Sequence, residues 1–428
     1  MSVAQTTVTL RLAGDEWFLK SLTKTELIPE FERTTGVHVD VIFKNDGAII
    51  SDLDRSAGAN DSLYDIIVVR HRRLGELVTK REVRPIDSFL ADPGLHDSNF
   101  TPQRDLFHNW WTELSSYDGH FYGYPFTALT TYLCYRKDLL ADPANRRAFR
   151  VRYHRDLRPP ANWQQYLELA QFFTRPEDHF YGTYIQGKKS LALWYEWLNF
   201  IYSFGGNVLD APHGWQYGDI VVNSPQNVAA TEQYLKAIPF SPPDTLTYGW
   251  NQAQNALQQG HVFMGLLWSD QVPFLEDPLV SKVAGKIGYA LIPSTKHFSQ
   301  LEGLTYLIVT NSQHPREAYK FLEWAMSQQV QDAQTLHGSS SIRQSSYNNP
   351  AIKNLPYTLN FLASIPIGIS KPTLPESDQM TEAAVQRLSE IVSGKTSPQV
   401  GLDSLAIGLK RMLGNKSRIR YPVKATVQ

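Results

Sequence analysis

Residues able to do chemistry are few and widely spaced in this chain. Asp15 and Glu16 are adjacent carboxylates where a helix should begin, and Asp270 stands two positions after Trp268. A pair such as Asp15 and Asp270, held about 5–9.5 Å apart, could work on a glycosidic bond. At a helix start the same Asp15-Glu16 dipeptide serves equally well to complement the helix dipole. No GxxxxGK[ST], HExxH, paired CxxC or GxSxG occurs, so nucleotide, zinc-protease and serine-hydrolase chemistry lack their motifs. The twelve histidines are scattered, and His71 and His261 read first as hydrogen-bonded structural residues. The single cysteine, Cys134, lies in the apolar run Thr131-Tyr-Leu-Cys-Tyr135 and reads as a small buried hydrophobe. No cofactor and no metal is expected.

What the chemistry does suggest is recognition, centred on Gly260-His-Val-Phe-Met-Gly-Leu-Leu-Trp-Ser-Asp270. A helix over Asn251 to Gln259 should end at Gly260, which takes the left-handed C-cap conformation without a Cβ penalty. Val262 to Leu267 is short and apolar, as a strand buried on both faces should be. Trp268 and Asp270 then follow where the chain leaves the sheet, the usual place for a ligand in an open α/β sheet.

The elements that must position these groups follow in order. Val8 to Ala13 and Val37 to Phe43 alternate as strands, Tyr64 to Val69 is a third, and a helix is expected between each pair, the first running from Leu19 to Thr34. Such βαβ units make a parallel sheet whose strand ends carry Asp15, Asn45 and Arg70 on one side. Asp118-Gly119 marks a hairpin turn. Phe126 to Tyr135 reads as one strand and Tyr181 to Gly187 as another, with helices over Trp163 to Phe173 and Leu191 to Phe204. Further strands are expected at Lys286 to Ile292 and Leu304 to Thr310, and helices at Pro315 to Met326, Met380 to Ile391 and Leu402 to Leu413. At 428 residues the chain exceeds what one core normally serves, so two domains are expected. A hydrophobic fraction of 42%, charged residues at 19% and a net charge of −1 describe a globular chain with no electrostatic case for nucleic acid or anionic membrane. No apolar run approaches the roughly 20 residues of a membrane span, and Met1 to Thr7 shows no signal peptide.

Several segments, in this order and spacing, resemble the sugar-binding proteins of ABC importers, extracellular solute-binding proteins of the maltose-binding type. They include Ile28-Pro-Glu-Phe-Glu-Arg-Thr-Thr-Gly-Val-His-Val39, Tyr64-Asp-Ile-Ile-Val-Val69, Asp118-Gly-His-Phe-Tyr-Gly-Tyr-Pro125 and Tyr132-Leu-Cys-Tyr-Arg-Lys-Asp-Leu-Leu140. Asn223-Ser-Pro225, Gln259-Gly-His-Val-Phe-Met264 and Pro315-Arg-Glu-Ala-Tyr-Lys-Phe-Leu-Glu-Trp324 extend the resemblance along nearly the whole chain. It implies an α/β, type II-like periplasmic-binding-protein fold of two lobes, each a mainly parallel sheet flanked by helices. Residues 1–127 and 268–309 would form the first lobe, and 128–267 and 310–428 the second. Crossings would fall near Pro125 to Leu129, Gly265 to Trp268, and Thr310. A carbohydrate or polyol would bind between the lobes, and the closed form would meet a membrane permease. A monomer in the periplasm or outside the cell is implied.

A sugar presents an apolar C–H face and a rim of hydroxyls, so its site needs an aromatic platform and planar polar side chains. Trp268 is expected as platform, with Trp17 and Trp197 closing over it. Asp270, Asp15 and Asp46 would accept hydroxyl protons, while Arg70, Asn45 and Arg343 would donate or bridge. His71 and Thr127 complete the expected ligand-binding set, and Gly206 and Gly303 would let backbone approach the ligand. Two other functions stay open on sequence alone: an anion receptor clamped by Arg70 and Arg343, and a carbohydrate-active enzyme.

Overall fold

The computed structural model describes residues 8–57, 62–95, 100, 102–294 and 298–424, so Met1 to Thr7 lies outside the described residues. Strands β1 (Thr9–Gly14), β2 (His38–Phe43) and β3 (Ile66–Arg70) are parallel, with β1 between the other two. Their carboxyl ends do lie together. Asp15 caps α1 (Glu16–Thr23) by accepting the Trp17 N–H at 2.9 Å. The expected single helix from Leu19 to Thr34 is two. Thr25 Oγ1 donates to the Leu22 carbonyl at 2.7 Å, Glu26 takes a positive φ of 58°, and α2 (Ile28–Thr35) starts afresh with Pro29 in its first turn. Asn45 caps α3 (Asp46–Ser56), and Gly36, at φ 72°, closes α2.

Phe126 to Tyr135 is likewise two strands rather than one. β4 (Gly123–Leu129) belongs to the first sheet and β5 (Thr131–Arg136) to the second, so the chain changes sheet at Thr130. The second sheet has β5 at its centre, flanked antiparallel by β6 (Met264–Trp268) and β7 (Ile287–Ala290). The long β8 (Ser299–Ile308) then returns to the first sheet, antiparallel to both β3 and β4, and the short β9 (Gly368–Ser370) pairs with its start. Tyr181 to Gly187 forms no strand; only Tyr181 bridges, to Val262. Gly182 presses against Ala170, where a Cβ would lie 1.9 Å from its carbonyl oxygen, so the segment is shaped by helix packing instead of ladder pairing.

These pairings move the expected lobe boundaries. Residues 287–290, assigned to the first lobe by sequence, add an edge to the second sheet. The helix Pro315–Ala325 was expected in the second lobe, yet Phe321 and Trp324 pack on Phe31 of α2, at 5.3 and 4.9 Å between ring centres. Its apolar stripe finds the first sheet's flank. Strand pairing passes from the first sheet to the second between β4 and β5 and returns to the first with β8, while Gly265 to Trp268 pairs within the second sheet. Thr130 is tied to both neighbours: its carbonyl accepts the Ser269 N–H at 2.8 Å, and its hydroxyl bonds that of Ser299. No helix among the described residues is long and apolar enough to cross a membrane.

Candidate functional site

Between the strand ends of the two sheets lies a cavity of about 250 Å³. From the first sheet it takes Asp15, Trp17, Phe18 and Arg70; from the second, Trp268, Asp270 and Gln271. Tyr195, Trp250, Asn251, Leu129 and Glu302 complete the wall. Trp268 ends β6 and is nearly buried, with the Tyr195 ring standing edge-on at 5.4 Å and 90°. Two aromatic faces at a right angle make a corner for an apolar surface.

The polar groups differ in how much of their capacity the protein uses. Asp270 accepts the Trp17 indole N–H at 2.9 Å, a contact that joins the two lobes across the cleft. Burial raises the Asp270 pKa, and the Trp17 bond lowers it only in part. Arg70 donates to Asp46 at 3.1 Å and lies over the Phe18 ring at 5.4 Å. Burial disfavours the Arg70 charge, but Asp46, Tyr195 and Glu302 together outweigh it, and the guanidinium stays charged. The Trp250 Nε1 and Gln271 Oε1 atoms, both buried, have no hydrogen-bond partner among the described residues. Buried polar groups without partners are rare and point to a missing one.

Behind the aromatic corner sits a buried ion cluster. Glu302 of β8 meets Lys371 at 2.6 Å and the His71 Nδ1 at 2.7 Å. Burial works against both charges of the pair. Lys371 and His71 nevertheless hold Glu302 well below the usual carboxylate range, while burial lowers Lys371 despite Glu302. The Lys371 ammonium also lies 4.7 Å from the Tyr195 ring centre and 5.9 Å from that of Trp268, supporting the corner from behind. His71 is thus a structural partner of Glu302, and Asp46 a partner of Arg70; neither lines the cavity.

The structure brings Asp15, Trp17, Arg70, Trp268 and Asp270 together, sets Thr127 in an adjoining cavity that also takes Trp17 and Asp270, and leaves the other expected residues elsewhere. Trp197 is fully buried and donates to Thr231 at 2.8 Å, so it packs the second lobe's core instead of closing over a ligand. Asn45 is used as a helix cap. Arg343 pairs with Asp105 and lies over Phe100 at 5.0 Å, away from Arg70's cavity. The Gly303 and Gly206 backbones approach protein, not ligand: a Cβ would lie 2.4 Å from the Thr127 carbonyl oxygen at the first and 1.7 Å from Asn227 Oδ1 at the second. Thr127 is buried and accepts the Ser340 N–H at 3.1 Å.

Sequence reasoning missed Tyr195, Trp250, Asn251, Gln271, Glu302 and Lys371. A usable signal existed for Glu302, the one charged residue in the strand-like run Leu301 to Val309. Carboxylates are almost never fully buried unless paired, so one in a core strand announces a partner. Among the described residues no group of three or more side chains is arranged to hold a metal ion.

Several solved structures share this architecture. The ribitol complex of an ABC transporter solute-binding protein from Agrobacterium radiobacter K84 matches with a TM-score of 0.81 at 23% identity, covering 95% of this chain and 98% of that one. Maltose-bound MalE3 of T. maritima matches at 0.76 and 19%, covering 95% and 100%. A solute-binding protein of Agrobacterium vitis S4 with bound D-mannitol matches at 0.74 and 20%, covering 95% and 98%. These show the two-lobe fold. A probable ABC transporter-binding protein of Deinococcus radiodurans is 26% identical over 277 residues, 60% of this chain and 63% of that relative, so the match spans less than two thirds of its length. Residues 20–332, more than half of the chain, match the family described as bacterial extracellular solute-binding protein, and the chain belongs to that family.

Proposed function

We propose that this chain is the substrate-binding component of an ABC importer, taking a neutral carbohydrate or polyol between its lobes. The carrying observation is the make-up of the cavity: an aromatic corner of Trp268 and Tyr195 facing acceptors and amides at Asp15, Asp270, Asn251 and Gln271. The C–H face of a sugar would lie in the corner and its hydroxyls would reach the polar rim. Three carboxylates, Asp15, Asp270 and Glu302, line the cavity beside one guanidinium, Arg70, itself paired with Asp46. That balance repels an anion, and Arg343, the other arm of an anion clamp, is bound to Asp105. The D-mannitol, ribitol and maltose bound by similar structures support the neutral class.

In this reading the protein works outside the cytoplasmic membrane as a monomer without cofactor or metal. Ligand bridges groups from both sheets, so it stabilises the closed arrangement, and a membrane permease recognises that form. A thermal-shift screen of monosaccharides, disaccharides, polyols and sugar acids tests the proposal. A ligand at about 100 times its dissociation constant adds roughly 2.7 kcal/mol, a clear rise in midpoint. The expected result is a neutral hit that Trp268→Ala weakens at least tenfold, with affinity insensitive to salt. Binding only by sugar acids, fading steeply with salt, would sink the neutral reading.

A further inference from the structure

The chain's net charge of −1 is unevenly placed. Residues 143–158 hold six arginines against one carboxylate, Asp156, a local charge of +5. Most of this run is the helix Pro143–Tyr153, capped by Asp142 and reached from the far end of β5. Phe149 anchors it: the ring is fully buried, edge-on to Phe172 at 5.1 Å and beside Tyr153 at 4.6 Å. With Phe149 facing inward, a turn of about 100° per residue sends Arg147, Arg150 and Val151 outward, with Arg146 at one edge and Arg152 at the other. All five are exposed, Val151 at 77%.

Few carboxylates answer these charges. Arg150 and Arg158 share Asp156, and Arg155 pairs with Glu168 at 2.6 Å. Arg146 donates to the Leu140 carbonyl at 2.9 Å and Arg152 lies over the Tyr153 ring at 5.2 Å, but neither they nor Arg147 have a carboxylate partner among the described residues. Like charges held close on a rigid helix repel one another, and an anionic surface relieves that repulsion. Ala144, Ala148 and Val151, one turn apart along the helix, set a strip of small exposed apolar side chains among the arginines. A strip this shallow suits a flat surface, and guanidinium groups bond phosphate oxygens in pairs. Phe173, next to Phe172, stacks on Phe263 at 3.9 Å, just before β6 begins, so the helix lies at the end of the second sheet away from Trp268 and the cavity.

We infer that the outward face of this helix docks on a membrane surface rich in anionic phospholipid. The arginines meet lipid phosphates, Val151 and the two alanines rest on the headgroup layer, and the cavity at the other end of the lobe stays open to its ligand. The inference does not depend on which solute the cavity takes. Joined to the importer reading above, it confines the search for a permease to two dimensions.

Co-sedimentation of the full chain with vesicles tests it, using phosphatidylcholine alone and an equal mixture of phosphatidylcholine and phosphatidylglycerol. Each basic residue near an anionic surface strengthens binding about fivefold, so the mixed vesicles should bind on the order of a hundredfold more tightly than the neutral ones, and less so as salt rises. Arg147→Gln, Arg150→Gln and Arg152→Gln together should remove most of that advantage. Lysine at the same three positions keeps the charge and should retain binding within about threefold, which separates lost charge from a damaged helix. Lys24→Gln, Arg33→Gln and Lys320→Gln together remove the same charge from exposed positions on the first lobe and should leave binding unchanged within about threefold. Absent or equal binding to the two vesicles, or equal loss in the two glutamine triples, overturns the docking face. Binding to polyglutamate with none to the vesicles assigns the helix to an acidic protein and overturns the membrane reading as well.

Discussion

Lys371→Met should destabilise the protein far more than a surface lysine could, and Glu302→Gln should do the same. Both side chains are almost wholly buried, 3% and 4% exposed, and meet at 2.6 Å. Removing one partner of such a pair strands a charge in apolar surroundings, which costs about 3–5 kcal/mol. Lys371→Met leaves the Glu302 carboxylate with His71 and the Gly303 N–H but no cationic lysine, and it also removes the ammonium beneath Tyr195 and Trp268. The double variant strands neither charge, so it should be more stable than the sum of the singles implies, by about 2 kcal/mol or more of coupling. Urea unfolding followed by tryptophan fluorescence and by circular dichroism gives the three midpoints, each lobe's transition being fitted where the two probes separate. The pH dependence supplies a second readout. Glu302 titrates well below its ordinary value of 4.5 because Lys371 and His71 outweigh its burial. A depressed carboxylate contributes stability that is present above its unfolded pKa and lost as pH falls through the folded one. Wild type should therefore lose this contribution only below about pH 4.5, and Glu302→Gln should lose none. Single variants that each cost under about 1 kcal/mol and simply add would refute the claim that a desolvated pair holds the cavity's back wall.

Other consequences are as direct. Burial raises Glu196 from 4.5 to about 7, against donated bonds from Tyr234 and Gln186. A raised carboxyl contributes stability fully present below pH 4.5 and lost as pH rises through about 7, so wild type should lose about 3 kcal/mol across that window and Glu196→Gln should flatten the thermal-midpoint profile. Gly123→Ala should destabilise by about 1–3 kcal/mol in urea, because strand pairing would set its Cβ 1.8 Å from the Tyr306 carbonyl oxygen. Ligand affinity should weaken on acidification at a pH above the ordinary aspartate range, since burial raises Asp270; calorimetry on Asp270→Asn should show a weaker but pH-independent site.

How much of the site was legible depended on whether local pattern or tertiary pairing carries the information. Trp268 and Asp270 were readable because Gly260, an apolar strand and an abrupt polar turn occur within eleven residues. Asp15 and Arg70 were readable because parallel strands put their carboxyl ends on one side. Trp197 misled for a physical reason: the helix Leu191–Ser203 is buried on every side, so aromatic spacing cannot distinguish its cavity face from its core face. Tyr195, two positions away and about 200° around the helix, is the one at the cavity. Glycines posed the same problem, since Gly206 and Gly303 signal close approach without saying of what.

The lobe boundaries show most plainly why one-dimensional pattern runs out. Gly123 to Leu129 is buried throughout and Thr130 to Cys134 almost as deeply, so burial runs unbroken past Thr130 and strand-like residues on both sides read as a single strand. The ladder partners differ on either side of that residue: β4 bonds to β8, and β5 to β6 and β7. Each partner lies more than a hundred residues further along the chain, and the same distant segments also supply Trp268, Asp270 and Glu302. The change of sheet and the site are thus built by the same long-range pairings. Trp268 and Asp270 belong with one sheet and Asp15, Trp17 and Arg70 with the other, so a ligand touching both groups would, in the proposed reading, favour the arrangement that brings the two sheets together.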